Sequence, residues 1–211
     1  MDGVIVDTEP VHKFAYDQHF KELNIQVPAE MYATFTGNST RNVFQKLKET
    51  FQLEHEIEEL ILRKRHLFNE AFDTKPDLEL IEGVLTLIRD LHLNGMQLIL
   101  ASSASKSTIN RVFNRFDLNQ YFTHKVSGED FPESKPHPAI FLHAASLSEA
   151  PKEHCIVIED STNGIIASKA AEIICIGYNS ENSKHQDLSL ADYIIQDFAE
   201  INFEKLHQLK F

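Results

Sequence analysis

From Met96 onward, short apolar runs alternate with helically spaced ones. "MQLILASS" (Met96 to Ser103) is an apolar run that ends in small hydroxyl residues. "SKSTINRVFNRF" then sets Ile109, Val112, Phe113 and Phe116 on one face of a helix. "HKVSG" is a brief strand candidate, and "HPAIFLHAASL" is a helix entered through Pro136 and Pro138. "CIVIED" is an apolar run closed by two acids, "STNGIIASKAA" is the next helix, and "IICIGY" and "DYIIQ" complete the series. Apolar strands alternating with helices predict a parallel sheet covered on both faces.

The first third follows another rule. Its pattern is almost wholly helical, with "EPVHKFAYDQHFKELNI" and "HEIEELILRKRHLFNEAF" as the clearest segments and "FTGNST" as a turn between two of them. The expected organisation is an α/β unit made of residues 1–10 and 76–211, with a helical block, residues 11–75, inserted into it. The chain has no internal repeat and no low-complexity segment.

Composition narrows the function classes. The 211 residues are 42% hydrophobic, enough for a proper core. A net charge of −12 argues against nucleic acid, because phosphate contacts need clustered Lys and Arg. Arg63-Lys64-Arg65 is too short for a polyanion-binding stripe, although a local positive pocket for a small anion stays compatible with an acidic protein. Cys155 and Cys175 sit in short apolar runs and read as buried thiols, not as a disulfide framework. No apolar run reaches membrane-spanning length and no signal peptide is recognisable, so the expectation is a soluble, cytoplasmic, monomeric protein with no membrane or nucleic-acid partner.

Chemistry-bearing residues collect at strand ends. In parallel α/β sheets, ligands bind at the carboxyl ends of the strands. The opening "MDGVIVDTEP" brings Asp2 and Asp7 there, "LILASS" brings Ser102 and Ser103, and "CIVIED" brings Glu159 and Asp160. Lys135 lies between the last two in "ESKPHP", at a loop-to-helix junction. Carboxylates from two strands suit an oxygen-ligated Mg²⁺. A hydroxyl, a lysine and the first amides of a helix suit a phosphate. Each piece also has a plainer reading. An Asp near Glu9-Pro10 caps a helix, Ser102 or Ser103 caps the next one, Lys135 is a solvated turn lysine, and His12 is a core-edge histidine. Order and strand-end placement give the set its force.

"DGVIVDTEP", "ASS", "SKPHPAIF" and "VIEDSTNGIIASKAA" resemble the four motifs of the haloacid dehalogenase superfamily, nearest to its β-phosphoglucomutase-like phosphatases. The resemblance spans essentially the whole chain. It implies a Rossmann-like parallel-sheet core with an inserted α-helical cap, an Asp nucleophile that forms an aspartyl-phosphate, Mg²⁺ as cofactor and a small phosphorylated metabolite as substrate. Asp2 matches the second Asp of the D-x-D motif, the general acid/base, whose backbone carbonyl is a metal ligand. Ser102 matches the hydroxyl that holds the transferring phosphoryl group, together with Ser103 and Ala104 at the helix start. Lys135 matches the motif-three lysine, and Glu159 and Asp160 the metal-binding acids. Thr8, Glu9 and His12 match the hinge segment, and Gly37 in "TGNSTR" the specificity loop of the cap.

Three departures follow from the resemblance. The nucleophile corresponds to the residue two before Asp2, so it and the apolar strand leading to it are expected upstream of Met1, through a mis-called or trimmed start. Loss of that strand would unpair ladder groups in the middle of the sheet. Glu172 stands where a glycine is usual, which changes a turn. The arginine with which mutases grip a second phosphate aligns with Thr40, and Arg41 lies one place later. The expected function is therefore a Mg²⁺-dependent phosphatase of small phosphomonoesters such as sugar phosphates. β-Phosphoglucomutase is the alternative within the class, and a catalytically impaired phosphate-binding protein the alternative outside it.

Overall fold

A computed structural model describes residues 1–35, 38–180 and 183–209. After a turn at residues 2–6, four helices follow without a strand: α1 (Glu9–Glu22), α2 (Ala29–Ala33), α3 (Thr40–Phe51) and α4 (Ile57–Thr74). The alternating half then runs α5 (Val84–Leu93), β1 (Leu98–Ser102), α6 (Lys106–Arg115), β2 (Phe122–Ser127), α7 (Ala139–Ser146), β3 (Ile156–Glu159), α8 (Thr162–Ala170), β4 (Ile174–Tyr178), β5 (Tyr193–Ile195) and α9 (Phe203–His207). All strand pairs are parallel, as the buried apolar runs predict. Among the described residues they form two sheets, β1–β2 and β3–β4–β5, with no ladder joining β1 to β3.

The helical block builds its own core from Tyr16, Phe20, Phe35, Val43, Phe44, Leu47, Leu60 and Ile61. Its two long helices also reach the main core, through Val11 and Ala15 of α1 and Leu67, Phe68 and Phe72 of α4. One face of each helix thus carries both units, which sets the block over the sheet ends. The architecture is an α/β core with an inserted helical cap. No helix among the described residues is long and apolar enough to cross a membrane.

Helix starts are fixed by side chains the sequence offers for capping. Ser39, Ser105 and Ser161 accept backbone N–H groups at the starts of α3, α6 and α8. Asp7 accepts the amide of Glu9, the first residue of α1, at 3.2 Å. Helix entry is therefore the role of Asp7, while Asp2 is left for the site. Glu172 adopts φ = +57° in the turn before β4. That left-handed turn explains why a glycine would suit the position, since an L side chain there costs about 1–2 kcal/mol.

Candidate active site

The carboxyl ends of β1 and β3 open into a cavity of about 160 Å³ whose lining includes Asp2, Ser102, Lys135, Glu159 and Asp160. Thr8, His12, Ser103 and Ala104 also line it, and Thr40 and Lys64 close it from the helical side. A larger cavity of about 520 Å³ adjoins it, sharing His12, Thr40, Lys64, Ser103, Ala104 and Lys135. Strand-end residues and cap residues are thus brought together. Gly37 lies outside the described residues.

Lys135 is 7% exposed, and its Nζ donates to Glu159 Oε1 at 2.5 Å. Glu159 Oε2 accepts the amides of Asp160 and Ser161 and the Ser161 hydroxyl, at 3.0–3.1 Å. Burial alone would raise the Glu159 carboxyl. The charge and hydrogen bond of Lys135 outweigh it and hold the group below its ordinary value. For Asp160 the balance falls the other way: burial first, then the neighbouring Glu159 charge, outweigh the lowering by the N-terminal ammonium and Lys135 and push its carboxyl up to about 7. Space for the two acids comes from two glycines. A Cβ on Gly3, which has φ = +73°, would fall 2.0 Å from Asp160 Oδ2, and one on Gly164 would fall 2.2 Å from Glu159 Oε1. The Asp160 carboxylate therefore lies against the Gly3 backbone, directly after the Asp2 carbonyl.

Ser102 is buried at the end of β1, where its hydroxyl accepts the amide of Ala104 at 3.2 Å. Because Ser105 caps α6, the capping reading does not apply to Ser102 or Ser103. Thr8, fully buried, donates its hydroxyl to Asp2 Oδ1. His12 Nε2 is 3.9 Å from the same oxygen. Burial opposes ionisation of Asp2, but His12 and the Thr8 hydroxyl hold its carboxyl well below the usual range.

Sequence reasoning missed Lys64. It lies on α4, 3% exposed, with Nζ 2.6 Å from His12 Nδ1 and 4.6 Å from the centre of the Tyr16 ring. Burial brings its ammonium down to about 7, although the Asp2 and Glu9 charges oppose this. Burial and the Lys64 charge lower His12 too, so a neutral imidazole accepts from Lys64 and turns Nε2–H toward Asp2. The signal was present in the pattern: Leu60, Ile61, Lys64, Leu67 and Phe68 share one helical face. A second missed contact is Tyr32, whose hydroxyl donates to Glu9 at 3.0 Å beside this lysine. Thr40 and Arg41 open α3 on the wall of the larger cavity, where Arg41 is paired with Glu58.

The acids present suit a hard divalent cation only in part. Among the described residues no three His, Cys, Asp or Glu side chains gather as a ligand set, because Asp2 turns to Thr8 and His12 and Glu159 to Lys135. What remains is a buried carboxyl that ionises reluctantly on its own, beside a backbone carbonyl. Oxygen donors of this kind fit a cation held by few protein ligands and several waters.

The sequence profile of the haloacid dehalogenase-like hydrolases matches residues 1–178. The chain belongs to that family. Among curated family members, the β-phosphoglucomutase of Bacillus subtilis is 25% identical over 99% of this chain and 92% of its own length. Hexitol phosphatase B of Escherichia coli is 27% identical over 98% and 93%. Among solved structures, CbbY from Rhodobacter sphaeroides in complex with phosphate superposes with a TM-score of 0.86 at 23% identity, over 98% of this chain and 96% of that one. The fold is therefore that of the haloacid dehalogenase-like hydrolases.

Proposed function

We propose that this hydrolase is a Mg²⁺-dependent phosphatase of small phosphomonoesters such as sugar phosphates, working through an aspartyl-phosphate. The observation that carries the reading is one cavity lined by Ser102, Lys135, Asp2 and Asp160 and closed by His12 and Lys64 from the helical side. Relatives named for β-phosphoglucomutase and hexitol phosphatase activity support the substrate class.

In this reading Ser102, Lys135 and the amides of Ser103 and Ala104 hold the phosphoryl oxygens, positioning and neutralising charge. The attacking carboxylate is the first Asp of the family's D-x-D motif, of which Asp2 is the second. Its oxygen bonds to phosphorus as the bond to the leaving alcohol breaks. Asp2 delivers the proton to that alcohol, and later takes one from the water that attacks phosphorus, as the bond from phosphorus to the nucleophile's oxygen breaks and phosphate leaves. The geometry here, with Asp2 ionised and bonded to Thr8, is that of the base. Mg²⁺ would be held by the Asp2 carbonyl and Asp160, with Glu159 kept beside them by Lys135, and would supply charge neutralisation at the phosphoryl group. Residues 11–75 act as the cap, hinged near residues 8–10 and 75–77. Arg115 of α6 fixes the second hinge by donating to the carbonyls of Phe72 and Lys75. Cap closure excludes water from the inner cavity. The enzyme works as a cytoplasmic monomer.

The mutase reading needs a free cation for a second phosphate, and the pairing of Arg41 with Glu58 disfavours it. The test compares the 211-residue chain with one extended upstream by an Asp-bearing apolar strand, assayed for phosphate release from sugar phosphates in Mg²⁺. Activity in the extended chain alone, lost on Asp→Asn, supports the reading. Equal and appreciable turnover by both chains sinks the aspartyl-phosphate mechanism, and phosphate binding without turnover by either favours the binding-protein reading.

A further inference from the structure

The larger cavity has a charge pattern of its own. It shares Lys64 and Lys135 with the inner one. Beyond the shared residues, its wall contributes two arginines, Arg41 and Arg65, against three glutamates, Glu58, Glu129 and Glu133. Each arginine is taken by one of those acids. Arg41 pairs with Glu58, and Arg65 donates to Glu129 at 2.6 Å. Glu133 lies 3.9 Å from His137 Nε2, a contact that is an ion pair only when the imidazole is protonated. Among the described residues, this part of the wall therefore offers an incoming anion no arginine without a carboxylate on it.

The two pairs are not equivalent. Glu129 has a second partner, since its other carboxylate oxygen accepts the amide of Lys106 at 2.9 Å. It belongs to the joint between the helical block and the core. Glu58 lies in the first turn of α4 and reaches the first turn of α3, so its pair is internal to the helical block. α3 has no acid of its own in that turn, and Arg41 adds positive charge where the helix dipole is already positive. A guanidinium in such a place would hold a second phosphate of a substrate through a two-pronged hydrogen bond. Glu58 supplies an anion there from within the chain. More than half of each side chain is exposed, 58% for Arg41 and 65% for Glu58, so the pair contributes little to stability. Its effect falls on what enters the cavity.

We propose that Glu58 is a specificity-determining residue: paired with Arg41, it restricts the larger cavity to leaving groups that carry no second anion. The substrate class is then the phosphomonoester of a neutral alcohol, with bisphosphates and phosphorylated carboxylic acids rejected. Selection of this kind works by repulsion, because a second anion must displace a carboxylate from Arg41 and then remain beside it. The inference rests on the phosphatase reading above for the end of the ligand that Ser102 and Lys135 hold.

The test measures binding of hexyl phosphate and of hexanediol bisphosphate to the full 211-residue chain in Mg²⁺, by calorimetry, with inorganic phosphate as competitor. The parent should bind the two esters within about threefold of each other. Glu58→Gln removes the charge and keeps a good helix former, and the bisphosphate should then gain about tenfold over the monoester. Adding Arg41→Gln should abolish that gain, and raising the salt concentration should shrink it. A gain that survives without Arg41, or a parent that already prefers the bisphosphate about tenfold, would overturn the proposal. An unchanged ratio in Glu58→Gln, with the monoester still displaced by phosphate, would overturn it and leave the phosphatase reading intact. If neither ester nor phosphate binds any of these chains, the phosphatase reading fails and the specificity assignment fails with it.

Discussion

Among the described residues two lysines are buried, on opposite sides of one cavity, and they are compensated differently. Lys135, from the α/β core, meets a carboxylate at 2.5 Å. Lys64, from the helical block, meets an imidazole nitrogen at 2.6 Å and the rings of Tyr16 and Phe68. On the core side the partner's carboxyl is drawn down by the pair. On the helical side no carboxylate touches the ammonium among the described residues, and burial takes it down to about 7. Burial depth is similar, at 7% and 3% exposed, so the contacting group is what differs. One lysine is ion-paired with a carboxylate at the strand ends. The other can change its proton near neutrality, next to the imidazole that faces Asp2.

The largest effect should come from removing the core cation. Lys135→Met leaves Glu159 buried without its partner, a loss of about 3–5 kcal/mol. Urea unfolding would measure it, together with loss of phosphate protection. Adding Glu159→Gln should recover much of the stability but not the phosphate binding. If the single variant loses under about 1 kcal/mol, the ion pair does not organise the core side, and the comparison breaks there.

Lys64→Met should act in the opposite sense. In the unfolded chain the lysine keeps its proton to about 10.5, in the folded protein only to about 7. Between these values the unfolded state binds more protons, so stability rises with pH across the window. Below about 7 both states are protonated and the full cost of the buried charge is present. Replacement by Met should therefore stabilise the protein by about 2–4 kcal/mol near pH 6, with the gain vanishing toward pH 10.5. Parallel stability–pH curves for parent and variant would show that the ammonium is not perturbed.

Much of the core side was legible because apolar strands end abruptly in polar residues. Ser102, Glu159 and Asp160 stand where a run of aliphatics stops, and Lys135 lies on the loop between them. The helical side was legible only in outline. Lys64 sits within a run of three basic residues, and its two neighbours do pair at the surface, Arg63 with Glu22 and Arg65 with Glu129. Charge counting hides it; only the helical phase, which sets it with Leu60, Ile61 and Phe68, separates it from them. Asp2 and Asp7 could not be separated by pattern alone, since both flank the same apolar run. A hydrogen bond to the first amide of α1 decides for Asp7.

The smallest effect sharpens the comparison most, because it holds residue type and helix nearly constant. Arg65 follows Lys64 on α4, and Nη2 donates to Glu129 Oε1 at 2.6 Å, with about a third of each side chain exposed. Glu129 in turn accepts the amide of Lys106 at the start of α6, so this pair joins the helical block to the core at the rim of the larger cavity. Exposure means that water already solvates both charges, and ion pairs of this kind contribute about 0.2–1 kcal/mol, less as salt screens them. Arg65→Gln should therefore cost under about 1 kcal/mol, and the difference from the parent should fall further between low and high salt. Its stability–pH curve should keep the rise between about 7 and 10.5 that Lys64→Met abolishes. A loss from Arg65→Gln as large as that from Lys135→Met would mean that joining the two units, not burying a cation, governs the energetics on the helical side.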